Sequence, residues 1–434
     1  MNRMSARERL DAALARIADP NGEGVRACLT VYRDQARAAA EASDARARAG
    51  ISLGPLDGSI VSIKDLFDVA GEVTRVGSKV IAEEGRPATV DAVAVHRLRA
   101  AGAVIVAKTN MTEFAFSGVG ANPHFGTPGN PADRKRIPGG SSSGAAVAAA
   151  DGMCEIAIGT DTGGSTRIPA SVCGIVGYKP SRQRIPTDGA FPLSYTLDSI
   201  GPMARKVADC ANADAAMAGD EPWVIEPAPL AGLRIGIAQG PPIESLDATV
   251  GKRFPEALDR LEKAGVRLIA EKLPLLDRMR DINMKGGGIP PTEALAVHRD
   301  RLARRGPDID PNVRLRIERA AKNSAADYIE MMRERSLLIR AMDAQLADLD
   351  VLAMPTTPIV APVLADLADP EVFARQNAQL LRNTSIWNFF DCCAISLPLP
   401  RDGGLPTGLM LVARNGNDRR LFRIAAAVER LFAG

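Results

Sequence analysis

Short, β-branched apolar runs alternate with helical stretches along this chain, and that alternation limits its fold more than any other feature. Ser59-Ile60-Val61-Ser62-Ile63 and Ala103-Val104-Ile105-Val106-Ala107 each read as a buried strand, with residues 90–101 between them as a helix. Strand, helix, strand in that order argues for an α/β sheet with a parallel component. Ile156-Ala157-Ile158 continues the pattern. Residues 232–238 and 264–270 add strands around a helix at 248–264. Residues 351–354 and 409–412 read as two more strands, and 418–432 as a terminal helix. At the front, 3–18 and 26–48 predict two amphipathic helices, and 292–347 is mostly helical and highly charged. No repeat or convincing linker interrupts the chain. The reading is one large α/β domain over 1–434, with N-terminal helices in 1–50, a core at about 55–205 and a helix-rich portion at about 240–345 that shapes the site.

Composition narrows the function. With 46% apolar residues but only 4% aromatics, the 434-residue chain can bury a large core of Ala, Val, Leu and Ile. Its 54 basic and 52 acidic residues give a net charge of +2, which offers no electrostatic footprint for nucleic acid or an anionic membrane. No apolar run reaches the length of a membrane span, and the N-terminal residues lack the apolar region of a secretory signal. Cys28, Cys154, Cys173, Cys210, Cys392 and Cys393 form no CxxC pair and no zinc-ligand pattern, so they read as reduced thiols of a cytoplasmic protein. His96, His124 and His298 are the only histidines, so any histidine base must be one of these three.

Three segments carry chemistry. The first is Ser62-Ile63-Lys64-Asp65, a lysine at the end of an apolar strand. The second is Pro138-Gly139-Gly140-Ser141-Ser142-Ser143-Gly144, and the third is Gly159-Thr160-Asp161-Thr162-Gly163-Gly164-Ser165-Thr166-Arg167. The second contains a formal G-x-S-x-G nucleophile elbow centred on Ser142. An elbow needs a strand immediately before it and a histidine after it. Here Arg136-Ile137-Pro138 precedes the motif, and only His298, on a charged helical stretch, follows it. The third segment suits acyl transfer better. Backbone N–H groups of Thr162, Gly163, Gly164 and Ser165 can converge on one oxygen, because glycines let the backbone curl without Cβ clashes. Ser165 then stands where an attacking oxygen belongs, although Gly-Gly-Ser alone could equally be a helix cap. A lysine can replace the missing histidine if burial lowers its pKa towards neutrality. Lys64 fits, with a salt bridge to Asp65 or Asp68 as the plain alternative and Lys108 as a weaker rival base.

With these three motifs in this order, the sequence resembles the amidase signature family, best over about 55–205 and again over 350–434. The family's spacing of 24 residues separates Ser141 from Ser165. The resemblance implies a single α/β/α domain around a central mixed sheet and a cofactor-free, metal-free site. It implies Ser165 as nucleophile, Ser141, after a cis peptide from Gly140, as proton relay, and Lys64 as base. It further implies an oxyanion hole at 162–165, with Ser142, Arg167 and Gly140 in support. Asp198 or Asp161 is the expected partner of Arg167, and an N-cap of the helix after residue 143 is an equal reading for Ser142. Phe114, Gly139 and Tyr195 are candidate substrate contacts, while Lys285 and Trp387 could line a pocket or fill core.

The implied reaction is hydrolysis of the C–N bond of a small non-peptide amide through an acyl-enzyme, frequently by a homodimer. Three rivals stand beside it: a biuret-type or other urea-derivative hydrolase, the A subunit of a tRNA-dependent amidotransferase working with a small partner protein, and a non-catalytic scaffold of the same fold.

Overall fold

Eleven strands form one twisted mixed sheet in a computed structural model that describes residues 4–433. Residue 3, where the first predicted helix starts, lies outside the described residues. The strands are β1 (Cys28–Val31), β2 (Ile60–Lys64), β3 (Val104–Thr109), β4 (Ile156–Thr160), β5 (Val176–Lys179), β6 (Ile200–Ala204), β7 (Arg234–Ala238), β8 (Arg267–Glu271), β9 (Val351–Pro355), β10 (Cys393–Pro398) and β11 (Gly408–Ala413). Their order across the sheet is β1-β3-β2-β4-β6-β5-β10-β11-β9-β7-β8. Two parallel trios, β3-β2-β4 and β9-β7-β8, sit towards the two ends of the sheet. The antiparallel strands β6, β5, β10 and β11 join them.

The parallel strands of the first trio are buried on both faces, so they are apolar along most of their length rather than alternating. The pleat sends Val61 and Ile63 of β2 to one face and Ile60 to the other. The helix Val93–Ala100, which connects β2 to β3, covers the first face through Ala94, Val95 and Leu98. The helix Ser143–Ala150 covers the second through Ala145, Ala146, Val147, Ala148 and Ala149. This helix is apolar all round, as a fully buried helix must be. Its small side chains permit close approach: a Cβ on Gly144 would lie 2.3 Å from the Ala27 carbonyl oxygen and 2.6 Å from the Asn110 nitrogen. The helix-rich portion consists mainly of Leu275–Met284, Ile289–Arg305, Pro311–Glu318 and Ala325–Gln345. Met279, Ile282, Met331 and Leu338 dock it on Leu352, Met354 and Trp387.

The structure corrects the sequence reading at two places. Residues 26–48 are not one helix. A short helix, Gly24–Ala27, leads into β1, which adds antiparallel to β3, and only Arg33–Arg48 is helical. The Ala- and Arg-rich tail dominates the periodicity there, while Cys28-Leu29-Thr30-Val31 is too short to show a period of its own. Strands β5, β6 and β10 escape a reading of the sequence. They lie in the antiparallel centre, with glycines or prolines in or beside each run that break its apolar pattern. As expected, no helix among the described residues is long and apolar enough to cross a membrane.

Candidate active site

Lys64 is the last residue of β2, and the pleat puts it on the face covered by the alanine-rich helix. Its side chain is fully buried. Nζ donates to Ser141 Oγ at 2.8 Å and to Thr160 Oγ1 at 3.0 Å. Burial removes water from the ammonium and pulls the pKa down to about 7, against the opposing pull of the Asp198 and Asp161 charges. Burial thus brings the loss of the Lys64 proton into the neutral pH range. Lys108 is also buried and its pKa lowered by burial, but its Nζ lies 3.7 Å from Glu72 and has no hydrogen bond.

Ser141 follows a cis peptide bond from Gly140, as the resemblance implies. Its carbonyl accepts from Thr112 N at 3.0 Å, and Gly140 N donates to Gly118 O at 2.8 Å, so both sides of the bond are anchored. Ser142 stands at the N-cap of the helix Ser143–Ala150, but its side chain makes no capping hydrogen bond. Its Oγ instead donates to the Thr160 carbonyl at 3.4 Å. That bond links the second segment to the end of β4, beside the Lys64 contact. His298, the partner an elbow at Ser142 would need, is packed on Phe114 with ring centroids 4.0 Å apart. Burial and the neighbouring Arg301 push its pKa down to about 3. Ser142→Ala is expected to keep measurable turnover, within about 10- to 100-fold of the parent, because it removes one long hydrogen bond. Steady-state kinetics check this, and complete loss would bring the elbow back.

The loop after β4 has an unusual distribution of hydrogen bonds. Among the described residues, none of the backbone N–H groups of Thr162, Gly163, Gly164 and Ser165 has an internal acceptor, whereas the next two donate to Asp161 Oδ2. Four successive unpaired amides in a tight turn make an anion-binding concavity. Gly164 has φ of 135°, a region that favours glycine, and a Cβ there would lie 2.2 Å from Thr384 Oγ1. Thr384 donates to the Gly163 carbonyl at 2.7 Å, holding that oxygen back and leaving the amides forward. Asp198 accepts from Thr162 Oγ1 at 2.5 Å and from the backbone of Leu193 and Ser194. Burial raises its pKa to about 6, against those hydrogen bonds.

Arg167 pairs with Asp161, not Asp198. Its Nη2 and Nε reach Asp161 at 2.8 and 3.0 Å, and both side chains are wholly buried. Asn388 bridges the pair, accepting from Arg167 Nη2 at 2.7 Å and donating to Asp161 Oδ1 at 2.9 Å. Burial by itself would raise the Asp161 carboxyl, but the Arg167 charge and hydrogen bonds hold it well below the usual carboxylate range.

Ser165 lines a cavity of about 350 Å³ together with Thr162, Gly163, Phe116 and Ser117. That is a size suited to a small organic ligand. The helix-rich portion closes it with Met279, Asn283, Ile289, Arg316 and Arg319, and the helices near residues 378–389 add Leu381 and Phe389. The three candidate substrate contacts do not line it. Phe114 is core beneath His298, and its neighbours Ala115 and Phe116 face the cavity instead. Tyr195 is 72% exposed, and its neighbours Leu193 and Leu197 take the wall. Gly139 packs against Pro169 and Val172. Lys285 is exposed near Glu330, and Trp387 is core, its indole N–H donating to Met354 Sδ. Thr384, Asn388, Phe116, Arg316 and Arg319 belong to the site although none of the three segments contains them, and Thr160, within the third, serves as a second acceptor for Lys64.

A family model described as Amidase matches residues 8–422. A 2-amino-5-chloromuconic acid deaminase of Comamonas testosteroni is 38% identical over 405 residues, covering 92% of this chain and 86% of the relative. The A subunit of the glutamyl-tRNA(Gln) amidotransferase of Anaeromyxobacter dehalogenans is 35% identical, covering 98% of this chain and 93% of the relative. A crystal structure described as an amidase superposes with a TM-score of 0.87 at 30% identity, covering 99% of this chain and 96% of that one.

Proposed function

The chain belongs to the amidase family and is a hydrolase of amide C–N bonds, and we propose that it works through Ser165, Ser141 and Lys64 on a small non-peptide amide. Neutral Lys64 accepts the proton of Ser141 as Ser141 takes that of Ser165. Ser165 Oγ attacks the carbonyl carbon, and the oxygen that becomes negative is met by the free N–H groups of 162–165. Collapse of the intermediate breaks the C–N bond. The leaving nitrogen receives the proton back from Lys64 through Ser141, and ammonia or an amine departs. Water, deprotonated by the same relay, then cleaves the acyl-enzyme.

One observation carries this reading: a fully buried lysine, its pKa lowered by burial to about 7, donates to Ser141 at 2.8 Å, while no histidine lines the cavity. A base titrating near the working pH is the efficient choice for proton transfer. The unpaired amides beside Ser165 support the second half, since one such donor is typically worth ~3 kcal/mol in the transition state. Ser142, Arg167 and Gly140 hold the segments in place rather than touch the substrate.

The test pairs a label with a panel. A fluorophosphonate is expected to label the parent at Ser165 and to leave Ser165→Ala unlabelled. The parent is expected to release ammonia from some of a panel of aliphatic, aryl, carboxylated and urea-type amides. A non-catalytic scaffold would give neither result. Activity on urea-type amides alone would favour the urea-derivative hydrolase. Activity on glutamine only in the presence of a second protein would favour the amidotransferase role, which the 35%-identical relative keeps in view. The same reading has the enzyme as a cofactor-free homodimer in the cytoplasm. Six free, buried cysteines support a reducing compartment. Light scattering that returned a monomer would remove the dimer from it.

A further inference from the structure

The charged side chains that line the Ser165 cavity are both cations, Arg316 and Arg319, and no carboxylate lines it with them. Arg316 comes from the helix Pro311–Glu318, and its guanidinium lies over the Phe116 ring, 4.6 Å from the centroid. Its Nε is buried without a hydrogen-bond partner, and among the described residues Arg316 makes no hydrogen bond or ion pair through any nitrogen. Every other arginine that has a buried unpaired nitrogen is held through another one or by an ion pair: Arg9 by Glu155, Arg75 by Thr30, Arg314 by Glu318, Arg335 by Asp391 and Arg382 by Asn383. The fully buried Arg167 has Asp161. Among the described residues, Arg316 is thus the arginine with a buried nitrogen that has neither a hydrogen bond nor a counter-charge, an arrangement that an arriving anion would relieve.

We infer that Arg316, with the exposed Arg319 at the rim, binds a carboxylate of the substrate, so that the enzyme acts on amides that carry an acid at the end remote from the scissile bond. The guanidinium fork suits a carboxylate bidentately, and stacking on Phe116 fixes its plane. Burial and the charge of Arg319 draw the Arg316 pKa down to about 10, which still leaves it cationic at neutral pH. The rest of the cavity lining is mainly apolar, with Leu193, Met279, Ile289 and Phe389 among it, which suits a hydrocarbon stretch joining amide to acid. This inference rests on the Ser165 reading, and its experiment separates the two.

Straight-chain dicarboxylates from malonate to suberate are titrated into Ser165→Ala and into Ser165→Ala/Arg316→Met, with Tm as the readout. At least one acid is expected to raise the Tm of the first and not of the second. Equal rises in both, no rise with any acid, or a rise with inorganic phosphate alone would overturn the assignment whether or not the protein proves to be an amidase. Kinetics give the second arm. The parent is expected to prefer the monoamide of such an acid over the neutral amide of equal length. Arg316→Met should shrink that preference about 10- to 100-fold, mostly through KM, and Arg316→Lys should fall between. An unchanged preference in both variants would overturn it. If Ser165 takes no label and no amide is turned over while an acid still binds through Arg316, the catalytic reading fails and the carboxylate site stands.

Discussion

Ser165→Ala, Lys64→Met and the double variant are each expected to lose about 10⁴-fold or more in kcat/KM, and to lose it together rather than in sum. Members of one proton relay act as a unit, so removing the second from an already broken relay costs little. The parent itself should show kcat/KM rising with pH through about 7, where Lys64 becomes the neutral base. Stability supplies an independent check on the same group. An unfolded lysine has a pKa of about 10.4, while folded Lys64 is lowered to about 7 by burial. Between these values the unfolded chain binds the extra proton, so the stability of the parent gains from Lys64 as pH rises across that window. Below pH 7 the folded protein must bury an ammonium, and that cost is present in full. Lys64→Met removes the cost. Relative to the parent, the variant should be more favoured at pH 6 than at pH 9, by ~2–3 kcal/mol. Urea midpoints at the two values measure the difference. Turnover within tenfold of the parent, or a stability difference independent of pH, would remove Lys64 as the base.

What the sequence disclosed about this site follows from how locally each part is encoded. Lys64 ends an apolar run, the cis serine sits in an uninterrupted Gly/Ser segment, and Ser165, the proposed nucleophile, follows Gly163-Gly164, so each carries its own short pattern. The parallel strands β2, β3, β4, β7 and β9 were legible because they are largely buried and their runs are apolar almost throughout. In the antiparallel centre only β11, with the apolar run Leu409-Met410-Leu411-Val412, was legible, whereas β5 and β6 were hidden because they contain Gly177, Gly201 and Pro202. Distance in the chain hid the rest. Thr384 reaches Gly163 and Asn388 reaches Asp161 across more than two hundred residues, from a single short helix, Thr384–Phe389, with no motif of its own. Phe114 reads as a substrate contact because it neighbours the correct residues, yet its φ is 53° and the turn gives the cavity to Ala115 and Phe116 instead. Arg316 lies on a charged helix where a single functional arginine looks like any surface one.

Arg167→Met should destabilise the protein by ~3–5 kcal/mol at pH 7.5, because it leaves the Asp161 carboxylate buried without its counter-charge. In the parent, Arg167 holds the Asp161 pKa below its unfolded value. That contribution is therefore complete above about pH 4 and is lost only as pH falls further, so the parent should show no Asp161-dependent loss between pH 5 and 8. Without Arg167, burial becomes the dominant influence and moves the carboxyl above its unfolded value. The sign then reverses. The folded variant binds a proton that the unfolded chain releases, and its stability falls as pH rises from about 4. The variant should recover part of the loss at pH 5, with the remaining hydrogen bonds from Thr166 and Asn388 to Asp161 still in place. Because Thr166 N and Arg167 N donate to the same carboxylate, its protonation also loosens the turn that aims the amides of 162–165. Relative to the parent, turnover of the variant should therefore fall on acidification even as its stability recovers, through kcat more than KM. Urea midpoints at pH 5 and 7.5 decide the matter. A loss below about 1 kcal/mol, or one that grows on acidification, would show that the buried pair does not anchor the loop that carries Ser165.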